Sequence, residues 1–258
     1  MWSGTGYVAQ YVVTFAFTVV TARLLDPEDF GLMGLASVVL AVGTLLADSG
    51  TQAALIHRQH DVDKAVNTAM VSVPIAGLLA AFLGAVSAPL LAWFYDNDEL
   101  TLITIILSGV LFLRSFGLVT DALLQRRLQF KHRRAVVDPL GAFMGGITAT
   151  VLALMGAGVW ALVAQWYAST ATLVIGSWIL ARYRPDLRQA SVRTWRELAR
   201  YGRHILGAHT VEMGSAYLDV MTVGKNLSTA AVGWYGAAGR LAIMPISANM
   251  PRMATKPS

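Results

Sequence analysis

The stretch Ala22–Ala36, ARLLDPEDFGLMGLA, decides how this chain is interpreted, because a second copy of it begins at Gly224. The second copy, Gly224–Ala238, reads GKNLSTAAVGWYGAA and aligns with the first without a gap. Equivalent positions hold a base, a leucine, a polar helix starter and three small residues: Arg23 and Lys225, Leu25 and Leu227, Asp26 and Ser228, Gly31 and Gly233, Gly34 and Gly236, Ala36 and Ala238. Each copy lies where one apolar run ends and another begins. The pattern predicts a transporter built from two related halves, the alternative being a chance match of small residues.

The composition around this repeat is that of a membrane protein. Of the 258 residues, 55% are hydrophobic and 14% are charged, whereas soluble domains carry about 25% charged residues. The net charge of +5 does not indicate nucleic-acid binding, because most of the Lys and Arg residues fall in two short segments beside apolar runs. The chain has no cysteine, which excludes disulfides and thiolate metal sites. We therefore expect an all-α polytopic membrane protein.

Eight apolar runs are long enough to span a bilayer, which needs roughly 20 residues per helix. They are Thr5–Leu25, Phe30–Ala47, Thr68–Phe94, Leu100–Thr120, Ala135–Gly156, Gly158–Leu180, His204–Val223 and Ser228–Met250. The first six form a predicted amino-terminal lobe, residues 1–181. An Arg-rich linker with a short amphipathic helix follows at 182–203, and residues 204–258 supply the first two helices of a second lobe in parallel repeat.

The bases in the connections predict the orientation. The connection after the third span is acidic, whereas those after the fourth and sixth carry five and seven bases. Since cytoplasmic loops are enriched in Lys and Arg, we expect the N-terminus and both basic segments in the cytoplasm.

Two of these connections suggest more specific roles. The segment Asp121–Arg134 interleaves bases with the apolar residues Leu123, Leu124, Leu128 and Phe130, which predicts an interfacial segment that contacts anionic lipid headgroups rather than nucleic acid. In the linker, Thr194 and Glu197 have the spacing of a capping box at the start of a helix. His57 and His60, in the connection after the second span, match no metal-ligand spacing, and we interpret that segment as a solvated loop.

Ionisable residues inside spans are candidates for function, because their burial in a membrane is costly. Five stand out: Arg114, Asp138, Glu212, Asp219 and Arg240. Arginine in a cavity suits an anionic substrate, so Arg114 and Arg240 are the candidate substrate-binding residues. Three acidic residues are candidates for binding a coupling cation or proton: Asp138, Glu212 and Asp219. Alternatively they form structural ion pairs, Asp138 with Arg114 and Glu212 with Arg240.

No catalytic constellation accompanies these charges. The chain lacks the G-x-S-x-G, Walker A and H-E-x-x-H patterns, and its histidines lie at span ends or in loops. The sequence therefore predicts a transporter without a cofactor or catalytic residue, rather than an enzyme.

An ordered series of segments resembles the polysaccharide-export flippases, the Wzx-type and teichuronic-acid or colanic-acid exporters of the multidrug/oligosaccharidyl-lipid/polysaccharide exporter superfamily. The segments are ARLLDPEDFGLMGLASVV, LLADSGTQAALIHR, DALLQRRLQFKHRRAVVD, GAGVWALVAQ and LDVMTVGKNLSTAAVGWYGAAGRLA. The resemblance extends from about Met1 to Pro245. It implies two six-helix lobes around a central cavity, and movement of an undecaprenyl-pyrophosphate-linked oligosaccharide between the leaflets of the bacterial plasma membrane. It also implies membrane lipids and proteins of a polysaccharide pathway as partners.

The family pattern has twelve to fourteen spans, so we expect this chain to be truncated at its carboxyl end and inactive as a fragment. Two alternatives remain from the sequence. One is a cation-coupled multidrug exporter of the same superfamily, which the acidic residues Glu212 and Asp219 would suit. The other is a membrane-embedded polysaccharide polymerase, against which the short outer loops argue.

Overall fold

In a computed structural model the chain folds into long helices joined by short connections. The structure describes residues 2–48, 50–58, 60–126, 133–202, 222–225, 227–236 and 238, and this part contains no strand. The first six predicted spans correspond to α1 (Trp2–Leu24), α2 (Pro27–Asp48), α4 (Val62–Tyr95), α5 (Glu99–Arg126), α6 (Asp138–Leu154) and α7 (Val159–Ala181), with the short α3 (Thr51–His57) after α2. A π-helical turn, Arg133–Val137, leads into α6. The predicted spans His204–Val223 and Ser228–Met250 lie mostly outside the described residues.

α4 has large apolar side chains outside and small ones inside. On α4, Phe82 is 64% exposed and Trp93 is 77% exposed, whereas Ala80 and Ala88 are buried. Exposed apolar surface of this extent is avoided by soluble monomers. Five described helices are long and apolar enough to cross a membrane, and Val12–Leu24 of α1 forms a shorter apolar segment. The expected all-α polytopic membrane fold is confirmed.

Small residues allow α4 and α5 to pack closely. A Cβ added to Gly77 would lie 2.4 Å from Cβ of Ser115, and one added to Gly84 would lie 2.5 Å from Oγ of Ser108. Ser108 directs its own hydroxyl to the Thr104 carbonyl, 2.7 Å away, so it leaves no unpaired donor in this contact. Packing through small side chains is the usual basis of helix association in membranes, where lipid is as apolar as leucine.

The bundle has two distinct ends, which we name by their connections. The hairpin end carries the α1–α2, α4–α5 and α6–α7 turns, and the linker end carries the α2–α4 and α5–α6 connections and the segment after α7. One apolar cluster packs α2, α5 and α7 towards the hairpin end, around Leu35, Leu100 and Leu162. A second cluster lies at the linker end, around Leu55, Val66 and Leu198.

Asn67 of α4 holds the segment that follows α7. This residue is 2% exposed. Its Oδ1 accepts hydrogen bonds from the Tyr183 hydroxyl at 2.9 Å and from the Asp186 backbone N–H at 3.0 Å. Its Nδ2 donates to Gln189 Oε1 at 3.3 Å. A single buried amide therefore fixes the path of the chain as it leaves the six-helix bundle.

The helix within the linker begins earlier than its capping-box pattern predicts. It covers residues 192–202, and its first backbone bond runs from Trp195 N–H to the Ser191 carbonyl at 2.9 Å. Thr194 is therefore inside the first turn, and the capping-box prediction is wrong. The Glu197 carboxylate instead forms a salt bridge with Arg58 at 3.1 Å, which ties this linker helix to the end of α3. Glu197 also pairs with Arg193, one turn earlier in the same helix, at 3.6 Å.

Arg126 also has a role that differs from its prediction as a headgroup-binding base. Its Nη1 donates to the carbonyl oxygens of Leu55, Ile56 and Arg58. These carbonyls belong to the last turn of α3 and the residue after it, and terminal carbonyls of a helix have no partner within the helix. Arg126 therefore caps α3. Residues 127–132 of the same basic segment lie outside the described part.

Candidate functional site

The two copies of the repeat fold alike. In the first, the Leu25 N–H donates to the Thr21 carbonyl at 2.9 Å, and in the second the equivalent Leu227 N–H donates to the Val223 carbonyl at 3.0 Å. A helix then starts in each copy, α2 at Pro27 and the second-copy helix at residue 229. The predicted hairpin repeat is therefore present in the backbone as well as in the sequence.

The predicted helix starters close the first turns of both helices. The Asp26 backbone N–H donates to Asp29 Oδ2 at 3.2 Å. In a capping box this is the bond from the N-cap N–H to the side chain three residues later. In the second copy, the Ser228 hydroxyl oxygen accepts a hydrogen bond from the Ala231 backbone N–H at 3.1 Å. This is the other bond of a capping box, in which the N-cap side chain accepts from the N–H three residues later. Each copy thus uses a different half of the same motif. Asp29 also lies beside Gly158 at the start of α7, so the first cap joins two hairpins.

The two copies pack against each other at the hairpin end, through their equivalent glycines. A Cβ added to Gly31 would lie 1.8 Å from the Thr229 carbonyl oxygen. A Cβ added to Gly233 would lie 2.2 Å from the Pro27 carbonyl oxygen. Pro27 and Thr229 are themselves equivalent in the repeat. The second contact is therefore the same as the first with the roles of the two copies exchanged. Only glycine allows backbones to come this close without displacement.

Lys225 extends the contact to α4. Its Nζ donates to the Phe94 carbonyl oxygen at 2.6 Å and lies 4.6 Å from the centroid of the Phe94 ring. The carbonyl belongs to the last turn of α4, where a cation is favoured by the helix dipole. Beside it, Gly224 approaches Leu35 and Tyr95 so closely that a Cβ would lie within 2.8 Å of each. The second copy is thus held by α2 and α4 together.

A small cavity lies directly behind this contact. It has a volume of about 180 Å³ and is lined by residues of α1, α2 and the second-copy helix, among them Thr18, Ser37, Val232 and Trp234. Pockets for small molecules are usually about 300–1,000 Å³. The space between the copies is therefore too small in this conformation for a bulky solute.

Asp138 lies in a separate and more polar cavity between α1, α6 and α7. The cavity is about 480 Å³ and includes polar side chains on all three helices: Gln10, Thr14, Asp138, Gln165 and Ser169. The structure thus places a candidate residue in a polar pocket within the six-helix bundle. Sequence analysis missed the other four, although Gln10 with Thr14 and Gln165 with Ser169 have the four-residue spacing of one helix face.

Arg114 lies exposed on α5, and Asp138 lies at the start of α6. α7 packs against both of these helices, and it meets α5 at the Ser177 hydroxyl, which donates to Asp121 Oδ1 at 2.6 Å. Both candidates have an interaction partner, and an ion pair between the two stays a prediction.

The remaining candidates, Glu212, Asp219 and Arg240, lie outside the described residues. In the part that is described, no three His, Asp or Glu side chains come together as metal ligands would. His57, which we expected in a solvated loop, is instead the last residue of α3, and its ring centroid lies 6.4 Å from that of Tyr201 in the linker helix.

Comparison with known proteins decides the family. The sequence profile described as "Polysaccharide biosynthesis protein" matches residues 20–252, nearly the whole chain. The chain belongs to this polysaccharide biosynthesis protein family. The match includes both copies of the hairpin, so the contact between Gly31 and Gly233 lies within the family region.

Two curated proteins are similar to this member of the family. The succinoglycan biosynthesis transport protein ExoT of Rhizobium meliloti (strain 1021) is 27% identical over 245 residues, which cover 95% of this chain and 49% of ExoT. The teichuronic acid biosynthesis protein TuaB of Bacillus subtilis (strain 168) is 25% identical over 207 residues, which cover 78% of this chain and 42% of TuaB. The chain spans about half the length of the curated relatives it matches.

A solved structure shares the fold. It is described as the inward-facing conformation of a multidrug resistance MATE family transporter of the MOP superfamily. The TM-score is 0.56 at 16% sequence identity, and the match covers 94% of this chain and 62% of the transporter chain. At this identity the likeness establishes the arrangement of helices in the polysaccharide biosynthesis protein and nothing about its solute.

Proposed function

We propose that this chain forms part of a flippase, which moves an undecaprenyl-pyrophosphate-linked oligosaccharide across the bacterial plasma membrane for surface polysaccharide synthesis. The observation that carries the proposal is the family match over residues 20–252, together with alignment of 95% of the chain to a relative named as a transport protein. The shared fold is the support for the alternative of a drug exporter, and no feature of the described residues favours it.

The geometry of the two hairpin copies supports a transporter that opens to one side at a time. They belong to different halves of the predicted repeat, and they meet at the hairpin end, with about 180 Å³ of space behind the contact. A lipid-linked oligosaccharide needs a much larger passage, so the copies must separate at this end for it to leave. Such a change between two arrangements is the hinge or rigid-body type of transition common in transport proteins.

The proposal includes an orientation. The linker end carries Arg126, Arg182, Arg184 and Arg188, whereas the α4–α5 turn at the hairpin end carries Asp96, Asp98 and Glu99. By the bias of Lys and Arg towards cytoplasmic loops, the linker end and the N-terminus face the cytoplasm and the hairpin end faces outward. In this orientation residues 1–181 form one lobe, 182–203 the cytoplasmic linker and 204–258 the start of the second lobe.

Within this proposal the charged candidates keep their predicted roles. Arg114 and Arg240 would bind the pyrophosphate, because guanidinium remains charged and pairs with phosphate oxygens in a bidentate manner. Asp138, Glu212 and Asp219 would bind a coupling cation or proton. The polar cavity around Asp138 supports that role, since its hydroxyl and amide groups could complete the coordination of a cation. Partners would be the lipid-linked oligosaccharide, membrane lipids and other proteins of the polysaccharide pathway, without a cofactor or nucleic acid.

Deletion of the gene in its host tests this proposal. We expect loss of surface polysaccharide and accumulation of the lipid-linked oligosaccharide, both reversed when the gene is returned. The accumulated lipid should be inaccessible to an impermeant sugar-modifying reagent added outside the cells. Normal surface polysaccharide together with increased sensitivity to cationic drugs would contradict the proposal and favour a drug exporter.

A further inference from the structure

The linker helix, residues 192–202, exposes apolar side chains although one of its faces is packed on the bundle. Thr194 and Leu198 form the buried face, and Leu198 belongs to the apolar cluster at the linker end. Beside this face, Val192 is 67% exposed and Trp195 is 47% exposed. Tryptophan is enriched where a membrane meets water, because its ring is apolar and its N–H is polar. The exposed apolar side of the linker helix therefore suits contact with lipid.

Val192 and Trp195 form one wall of a groove, and α4 forms the other. The groove has a volume of about 380 Å³, and its α4 wall extends from Thr68 to Leu79. Ile75 and Leu79 on this wall are themselves exposed apolar residues. The groove is therefore continuous with the large apolar surface that α4 presents outside the bundle.

The groove lies at the depth where lipid headgroups meet hydrocarbon. α4 has 34 residues, which is more than the roughly 20 that cross the hydrocarbon core. Trp93 and Tyr95 are at the hairpin end of α4, where interfacial aromatic residues are expected. Roughly 20 residues before Trp93 is Val73, which is next to Ser72 in the wall of the groove. One end of the groove is thus level with headgroups and the other with acyl chains.

Arginine side chains are available beside the groove. Arg196 and Arg200 are exposed and follow Val192 at successive intervals of four residues, so the three lie in one row along the linker helix. The acidic residue of this helix, Glu197, is already engaged by Arg58 at 3.1 Å. The linker as a whole has seven arginines and two acidic residues. This balance favours an anionic headgroup over a zwitterionic one.

We propose that the groove between α4 and the linker helix binds an anionic phospholipid from the leaflet at the linker end. One acyl chain lies along the α4 wall, and the headgroup phosphate pairs with Arg196 and Arg200, since guanidinium matches the geometry of phosphate oxygens. The bound lipid is a resident of the membrane that fastens the linker helix to α4, rather than the lipid that is transported. The inference stands without the flippase proposal, because it concerns a membrane helix and a groove beside it.

Fluorescence quenching by brominated lipid tests the site, and the chain has no cysteine of its own. The full chain with Leu79→Cys carries a fluorophore at the hydrocarbon end of the groove and is reconstituted into phosphatidylcholine vesicles. Quenching by phosphatidylglycerol that is brominated on its acyl chain is compared with quenching by equally brominated phosphatidylcholine. We expect the anionic lipid to bind at least fivefold more tightly, because a single base near an anionic headgroup contributes about that factor.

The matched control for the fluorophore is Leu78→Cys, which is exposed on α4 but does not line the groove. At this position the two brominated lipids should quench equally, because bulk lipid has no preferred headgroup there. Equal quenching by both lipids at Leu79→Cys would overturn the site. An equally strong preference at Leu78→Cys would also overturn it, since the preference would then not belong to the groove.

Two pairs of arginine substitutions distinguish the site from general attraction to a basic surface. Arg196→Gln/Arg200→Gln should bring the preference at Leu79→Cys close to equality. Arg182→Gln/Arg184→Gln removes the same charge from exposed positions of the same linker and should retain the preference. Equal losses in the two double variants would overturn the assignment of the headgroup to Arg196 and Arg200.

Ala76→Phe tests the groove while every base remains in place. Ala76 lines the groove, so a phenyl ring there occupies space that the acyl chain needs, and we expect the preference to be lost. A retained preference would overturn the placement of the chain. Size-exclusion chromatography and helix content are measured for each variant, and the arginine variants change exposed side chains, so they decide the question if Ala76→Phe does not fold.

A transported lipid is the other source of a phosphate with an apolar chain. Undecaprenyl pyrophosphate is therefore added at a small molar fraction of the brominated phosphatidylglycerol, and we expect quenching at Leu79→Cys to persist. Displacement would assign the groove to the transported lipid and overturn the proposal. Since none of these measurements involves transport, loss of the lipid site leaves the flippase proposal intact. Equally, normal polysaccharide after deletion of the gene leaves the lipid site intact.

Discussion

Arg114 and Arg126 lie on the same helix, yet their surroundings differ. Arg126 is occupied by three carbonyl groups at the end of α3. Arg114 is exposed on the surface of α5. The structure therefore assigns Arg126 to stability, and Arg114 is the described candidate to test for substrate binding.

Reversal of charge at Arg114 should impair transport without unfolding the protein. We expect Arg114→Glu to lower surface polysaccharide by tenfold or more, since about 1.4 kcal/mol lost from a charged hydrogen bond is a factor of ten. Arg240→Glu should act in the same way. Polysaccharide is measured per amount of protein in the membrane, with Arg114→Lys as the control that retains a positive charge. Export at the unmodified level in Arg114→Glu would remove this residue from the site.

Asn67 should matter for stability rather than for transport chemistry. Asn67→Ala leaves the Tyr183 hydroxyl, the Asp186 N–H and the Gln189 side chain without their common partner. Each of the lost hydrogen bonds contributes about 0.5–1.5 kcal/mol net, so we expect a lower unfolding temperature and faster trypsin cleavage at Arg182 and Arg184.

The matched variant for this prediction is Gln189→Ala, which removes one of the three bonds and should have a smaller effect. If trypsin cleaves Asn67→Ala at the same rate as the unmodified protein, the segment after α7 is held by other contacts. Nothing in the local sequence indicated this role, because an isolated Asn near the start of an apolar run has no distinguishing pattern.

At the scale of the helices, the packing of α4 against α5 depends on glycine. Gly84→Leu places a large side chain where a Cβ alone would lie 2.5 Å from Ser108 Oγ. Overpacking of this kind costs about 1–3 kcal/mol, and we expect less folded protein in the membrane and a lower unfolding temperature. Val86→Leu, on the exposed face of the same helix, should change neither quantity. Equal stability of the two variants would show that α4 and α5 do not rely on close approach.

The beginnings of the helices show which features were predictable. Asp26-Pro27 and Ser228 were identified from local sequence as helix starters, and a helix begins after each. The Ser228 hydroxyl caps as expected, whereas at the first start the Asp29 carboxylate accepts the Asp26 N–H. Thr194 and Glu197 have an equally good local pattern, but Glu197 binds Arg58 of α3 instead. A contact between distant segments therefore determines the partner of Glu197. The same holds for the contact of Gly31 with Thr229, which the aligned repeat alone did not predict.

At the scale of the whole molecule, the order of spans followed from hydropathy, whereas the neighbours of each helix did not. The six described spans lie where their apolar runs predicted them. Asp138 and Arg114 were matched by depth alone, and the sequence did not indicate that their helices, α6 and α5, both pack against α7. The set of helices that enclose the Asp138 cavity, α1, α6 and α7, could be found only from the fold.

Cysteine labelling should establish the orientation of the bundle. Asp98→Cys lies in the α4–α5 turn at the hairpin end, and Arg188→Cys lies in the segment after α7. An impermeant maleimide added outside intact cells should label only the first, because acidic turns face outward and basic segments face the cytoplasm. Both should react after the membrane is made permeable. Labelling of Arg188→Cys alone in intact cells would reverse the orientation and place the hairpin end in the cytoplasm.

The central claim concerns movement of a lipid-linked oligosaccharide between leaflets, and one measurement addresses it directly. The purified gene product is reconstituted into vesicles that contain a labelled pyrophosphate-linked oligosaccharide in the inner leaflet, and its exposure to an external lectin is followed over time. The account predicts faster exposure than in protein-free vesicles, and a slower rate when the protein carries Arg114→Glu. Exposure at the protein-free rate, with correctly inserted protein, would contradict it.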